Sequence, residues 1–237
     1  MAKRNTTKKV LLFIVEGEND EAALATPLEN LQKVHSPKGL IRLGVTKGDI
    51  TSDFKVKDAV HAVVNCVKKH CAEYKLKKSD ICKVVLLIDM DGAYVPHHII
   101  QIGADTHYGE DKILHSNPEK LQKTHEHKRM HVNRLIELKR IWKDIPFSVC
   151  FVSCNFDHVA CGNANLTGRE KSNTADEFSK KYHKDANGFF SFFHDPELVI
   201  GETYDESWNT IKQGLNSLQR YSNMNVFLAL NYSCCES

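Results

Sequence analysis

The sequence has little net charge: 32 basic side chains against 30 acidic ones leave +2. That excludes a protein that coats nucleic acid through bulk charge, and any such contact has to come from a local patch. No apolar segment approaches the length of a membrane span. The opening Met-Ala-Lys-Arg-Asn-Thr-Thr-Lys-Lys lacks the apolar core of a signal peptide. The eight cysteines, at 66, 71, 82, 150, 154, 161, 234 and 235, include no Cys-x-x-Cys pair. Several fall inside apolar runs, which fits buried free thiols and a cytoplasmic location. There is no Gly-x-x-x-x-Gly-Lys-Ser/Thr loop, so any ATPase partner has to be another chain. Internal repeats and low-complexity linkers are also missing. With 41% hydrophobic residues and 26% charged ones, the chain reads as one compact soluble unit.

What is present centres on two apolar runs that end in carboxylates. Val10-Leu11-Leu12-Phe13-Ile14-Val15 runs into Glu16-Gly17-Glu18-Asn19-Asp20-Glu21. An unbroken apolar run rich in β-branched residues predicts a strand buried on both faces, as in a parallel sheet covered by helices. Glu16 then sits at the strand end, where ligands of open α/β sheets bind. Gly17 allows a sharp turn, and Asn19 or Asp20 is placed to cap the next helix. The second run, Val84-Val85-Leu86-Leu87-Ile88, ends in Asp89-Met90-Asp91-Gly92. On an extended chain Asp89 and Asp91 project to the same side. Two such carboxylates repel unless a cation lies between them, and Mg²⁺ suits oxygen donors of this kind.

Phe13-Ile14-Val15-Glu16-Gly17-Glu18-Asn19-Asp20 followed by Leu87-Ile88-Asp89-Met90-Asp91-Gly92 resembles the Toprim domain of primases, topoisomerases and the "overcoming lysogenization defect" nucleases. The resemblance implies a four-stranded, mainly parallel sheet sandwiched by helices. It also implies a nuclease acting on DNA or RNA with Mg²⁺ or Mn²⁺, in which Asp89 and Asp91 hold the metal. Glu16 is then a further ligand or the general acid/base. A role in antiviral defence, with a separate ATPase or defence partner, comes with the likeness to stand-alone Toprim proteins. The alternatives are a catalytically silent binding module for nucleic acid or protein, and a nuclease that matures RNA.

The expected organisation is a polar lead-in over 1–9, a catalytic core over 10–160 and a helical C-terminal extension over 161–237. Within the core we expect a kinked helix or two short ones around Pro27, a strand over 40–45 and a helix from Ser52 or Asp53. A strand over 83–89 follows, then a histidine-rich insertion over 93–131. A helix is expected to run on to Pro146, and a last strand over 147–153. Asp157, in Asn155-Phe156-Asp157-His158, leaves that last strand and is a further acidic candidate. The segment is similar to the Asn-Pro-x-Phe-Glu motif of RloB-like proteins, without the proline and with aspartate for glutamate. Gly17 and Gly92 allow close backbone approach to a phosphate, while Asp20 reads first as a helix cap. Lys171 is a candidate phosphate contact, although a solvated lysine is the simpler reading. His125, His127 and His131 have a zinc-like arrangement, but no cysteine lies nearby. We read His125 and His127 with Lys128, Arg129, Arg134, Lys139 and Arg140 as a basic face that contacts a nucleic-acid backbone. The phenylalanines at 189–193 read as core.

Overall fold

The computed structural model describes residues 9–35 and 41–232. The lead-in therefore lies outside them, apart from Lys9. In chain order the elements are β1 (Lys9–Val15), α1 (Glu18–His35), β2 (Ile41–Lys47), α2 (Ala59–Glu73) and β3 (Ile81–Asp89). Three short strands follow, β4 (Ile100–Ile102), β5 (His107–Tyr108) and β6 (Ile113–His115). Then come α3 (Pro118–Ile136), β7 (Arg140–Ile141), β8 (Ile145–Val152) and α4 (Phe156–Cys161). The chain closes with α5 (Gly168–Tyr182), α6 (Ala186–Phe193), α7 (Tyr204–Ile211) and α8 (Met224–Tyr232).

The fold is α/β. The main sheet has the order β2-β1-β3-β8-β7. The first four strands are parallel, and β7 is antiparallel to β8, so the sheet is mixed in orientation. Alternation along β1 divides its side chains between two cores. Leu11, Phe13 and Val15 pack with α1, α5, α6 and α8. Val10, Leu12 and Ile14 pack with α2, α3 and α7. Each apolar side chain of this size contributes roughly 1.5–3 kcal/mol on full burial. Phe189 and Phe193 are fully buried and pack edge-to-face with Phe178 or each other, so the aromatic cluster is core.

Three expectations about elements need correction. Helix α1 runs through Pro27 as one helix rather than two short ones, with Pro27 buried in it. The helix expected from Ser52 or Asp53 starts at Ala59. Asp58 takes the cap by accepting the amides of Val60 and His61, whereas the Asp53 carboxylate closes a turn onto Lys55 N. Residues 48–58 are consequently a loop. The helix expected to reach Pro146 stops at Ile136; beyond it the chain forms β7, and positive φ at Trp142 and Lys143 (45° and 78°) turns it into β8. The insertion over 93–131 contains a small sheet of order β4-β6-β5. Val95, Ile99, Ile113, Leu121 and Leu218 form a third core beneath it.

Candidate metal and phosphate site

The carboxylates at the ends of β1 and β3 meet. β1 and β3 are adjacent and parallel, with Val15 opposite Leu87, so residues 16 and 89 leave the sheet at the same edge. Glu16 Oε2 accepts the backbone N–H of Asp89 at 3.1 Å. Glu16 Oε1 accepts the Thr51 hydroxyl in a short hydrogen bond and the Thr51 amide at 3.3 Å. Asp91 has a left-handed backbone (φ 50°) and is followed by Gly92 at φ 68°. Aspartate is among the few side chains that tolerate that region. At Gly92 a Cβ would also lie 2.7 Å from Ile113 Cδ1. This turn carries Asp91 back over the strand ends.

Lys128, on α3, enters from the other side. Its ammonium donates to Asp91 Oδ2 and to the Asp89 carbonyl, both at 2.6 Å, and lies 3.4 Å from Glu16 Oε2. The side chain is 1% exposed, against 30% for Asp91, so the site meets solvent through Asp91. Burial alone lowers a lysine's proton affinity. Here the Asp91 and Glu16 carboxylates outweigh it and hold the ammonium charged well above the usual range. Tyr108, on β5, covers the site with its hydroxyl 3.4 Å from Asp91 Oδ1. Asn165 fixes Tyr108 through both backbone groups.

A second group of charges adjoins the first. The Asp20 carboxylate accepts Gly17 N–H at 2.8 Å within the first turn of α1. A Cβ on Gly17 would come within 2.9 Å of Asp20 Oδ2, so this glycine serves close approach. Asp89 Oδ1 accepts the Phe156 amide at 3.1 Å, at the start of α4. Asp157 follows in that turn, buried, and pairs with Lys171 at 3.2 Å. Burial raises the Asp89 carboxyl well above its ordinary range, and repulsion from Asp20, Asp91 and Glu16 adds to the effect. Asp20 is raised to about 6 by burial and by Glu16 and Asp157. Glu16 is also raised by burial, with Lys128 and Thr51 opposing. Five carboxyls (16, 20, 89, 91 and 157) thus face two ammoniums, Lys128 and Lys171.

No protein family, curated protein or solved structure matches this chain. The Toprim resemblance rests on the two motifs themselves.

Hard oxygen donors and a deficit of positive charge fit a divalent cation in chemical type. Yet among the described residues no group of three or more His, Cys, Asp or Glu side chains is arranged to hold a metal. Between Glu16 and Asp91 the Lys128 ammonium stands where a cation was expected. The carboxyls whose charged form is least supported are Asp20 and Asp89, both raised first by burial.

The basic face is not assembled. Lys128 and His125 are buried, and burial holds His125 down to about 4, uncharged near neutrality. Arg129 donates to the Ala93 carbonyl, Arg140 donates to the Asp144 carbonyl, and Arg134 is exposed. Lys171, read as a solvated lysine, is drawn to Asp157. Thr51 and Tyr108 were not anticipated. Each is an isolated polar residue in a segment without a motif, and only tertiary structure brings it to the site.

Proposed function

We propose that the protein is a Mg²⁺-dependent hydrolase of phosphodiester bonds in nucleic acid, built on a Toprim-type arrangement of Glu16, Asp89 and Asp91. The observation that carries this reading is the convergence of the first and third strands, with Glu16 Oε2 on the Asp89 amide. Asp89, with Asp20 beside it, offers the carboxylates on which a divalent ion would be held. Such an ion polarises the phosphodiester and stabilises charge on the leaving oxygen. Glu16, whose proton affinity is raised by burial, is suited to carry a proton to or from the reacting oxygen. Lys128 neutralises Glu16 and Asp91 and keeps Asp91 directed at the opening, while Tyr108 fixes the other Asp91 oxygen. Lys171, 38% exposed, is placed to meet a phosphate oxygen in exchange for Asp157.

A second reading is favoured by the position of Lys128. A site whose central cation is a lysine suits a binding module that uses the fold without metal chemistry. Incubating purified protein with plasmid DNA, tRNA and rRNA, with and without Mg²⁺, separates the two. The hydrolase reading expects Mg²⁺-dependent cleavage that Glu16→Ala abolishes. Cleavage that survives Glu16→Ala counts against it, and binding without any product supports the module. Discrete end-processing of precursor RNA alone, again lost in Glu16→Ala, would mark a maturation nuclease rather than a defence enzyme.

A further inference from the structure

Apart from the carboxylate cluster, α3 carries a second group whose hydrogen-bond accounting does not close. His127 and His131 are one helical turn apart, and their Nε2 atoms are 3.0 Å from each other. His127 Nε2 also lies 3.2 Å from the Asp53 carbonyl, and His131 Nε2 lies 3.0 Å from the Val56 carbonyl. Carbonyl oxygens only accept. If both Nε2 atoms are protonated, each satisfies its carbonyl, but the contact between the rings has two donors and no acceptor. If only one is protonated, the other ring's lone pair faces a carbonyl oxygen. No choice of tautomers turns all three contacts into hydrogen bonds.

A cation held between the two Nε2 atoms removes the conflict, and the carbonyl beside each ring is a further oxygen donor. Metal–imidazole bonds of about 2.1 Å place ligands at right angles about 3.0 Å apart, and tetrahedral ones about 3.4 Å apart. The spacings of 3.0, 3.0 and 3.2 Å fall in that range. We propose that His127 and His131, with the main-chain carbonyls of Asp53 and Val56, form a site for a divalent transition-metal ion of the Zn²⁺, Co²⁺ and Ni²⁺ class, water completing the shell. Imidazole nitrogen selects this class over Mg²⁺. The Phe54 ring stacks on His127, with ring centroids 4.8 Å apart, and shields one side. The ion ties the 48–58 loop to α3. That loop holds Thr51 on Glu16, and α3 holds Lys128 on Asp91, so the metal braces both supports of the carboxylate cluster.

The site is independent of any hydrolase activity and is tested with Zn²⁺ alone, by competition against a chromophoric chelator. Wild type is expected to bind an equivalent that His127→Gln and His131→Gln lose and Asp89→Asn/Asp91→Asn keeps. Zn²⁺ should also slow proteolysis within 48–58 in wild type but not in His127→Gln. His131 is buried, so its variant is read only if folded; His127 is only half-buried, and its variant keeps the test available. Zn²⁺ binding by His127→Gln equal to wild type overturns the proposal. So does no binding by wild type, or loss of the equivalent only in the aspartate variant.

Discussion

The Lys128 ammonium lies 2.6 Å from the Asp91 carboxylate, itself buried beneath a side chain that is 30% exposed, against 9% for Glu16. A lysine so placed is held by its partners and in turn makes them tolerable. Removing it leaves Glu16 and Asp91 facing each other without a counter-charge. Lys128→Met should therefore destabilise the protein by about 3–5 kcal/mol, the usual consequence of breaking a buried ion pair from one side. Urea unfolding measures it. Adding Asp91→Asn to Lys128→Met should recover part of the loss, and simple additivity would mean that the two side chains are not coupled.

Stability should also fall as pH rises in the absence of divalent ions. Asp20 has a proton affinity near 6 in the folded protein against an ordinary value of 3.8. Its neutral form is the one the fold prefers, so its contribution is fully present below about 3.8 and is lost as pH rises through 6. Glu16 and Asp89 are raised as well and act in the same direction. Lys128, Lys171 and Thr51 oppose this without cancelling it. In EDTA the Tm of wild type should drop between about pH 4 and 6.5, and Asp20→Asn should flatten that drop. An equal slope in both proteins would count against Asp20 as a contributor.

Thr51 gives Glu16 both a hydroxyl and an amide donor. Thr51→Val keeps the shape and loses the hydroxyl, at a cost of about 1–3 kcal/mol for the partner left unsatisfied. Thr51→Ser should cost much less. If the two variants are equally stable, the hydroxyl contributes nothing to holding Glu16.

The aromatic cluster should behave as core. Phe178 packs against Phe156, Tyr182, Phe189 and Phe192. Phe178→Ala should cost about 3–5 kcal/mol and leave the metal affinity of the folded fraction unchanged. A loss of nucleic-acid binding without loss of stability would instead make the cluster a stacking surface.

The parts of this molecule legible in its sequence are those governed by local pattern. The apolar runs before Glu16 and Asp89 needed no partner to be read as buried strands, and the Asn117-Pro118 helix start follows from capping chemistry. The approach of those two runs required only that parallel strands end at one edge. Lys128 was legible as a charge and not as a position. On a helix rich in His, Lys and Arg, nothing local marks the one cation that faces inward. Pro27 does not divide α1, because a helix packed on the sheet and on α5 tolerates a missing amide that would break an isolated one.

The most direct test is calorimetric titration of Mn²⁺ into wild type and into Asp89→Asn/Asp91→Asn at pH 7.5, with folding verified by circular dichroism. The account predicts a binding event in wild type that the double variant loses, together with a rise in wild-type Tm on adding the ion. Equal Mn²⁺ binding by the two folded proteins, or none by wild type, would contradict a metal site at the meeting of these strands.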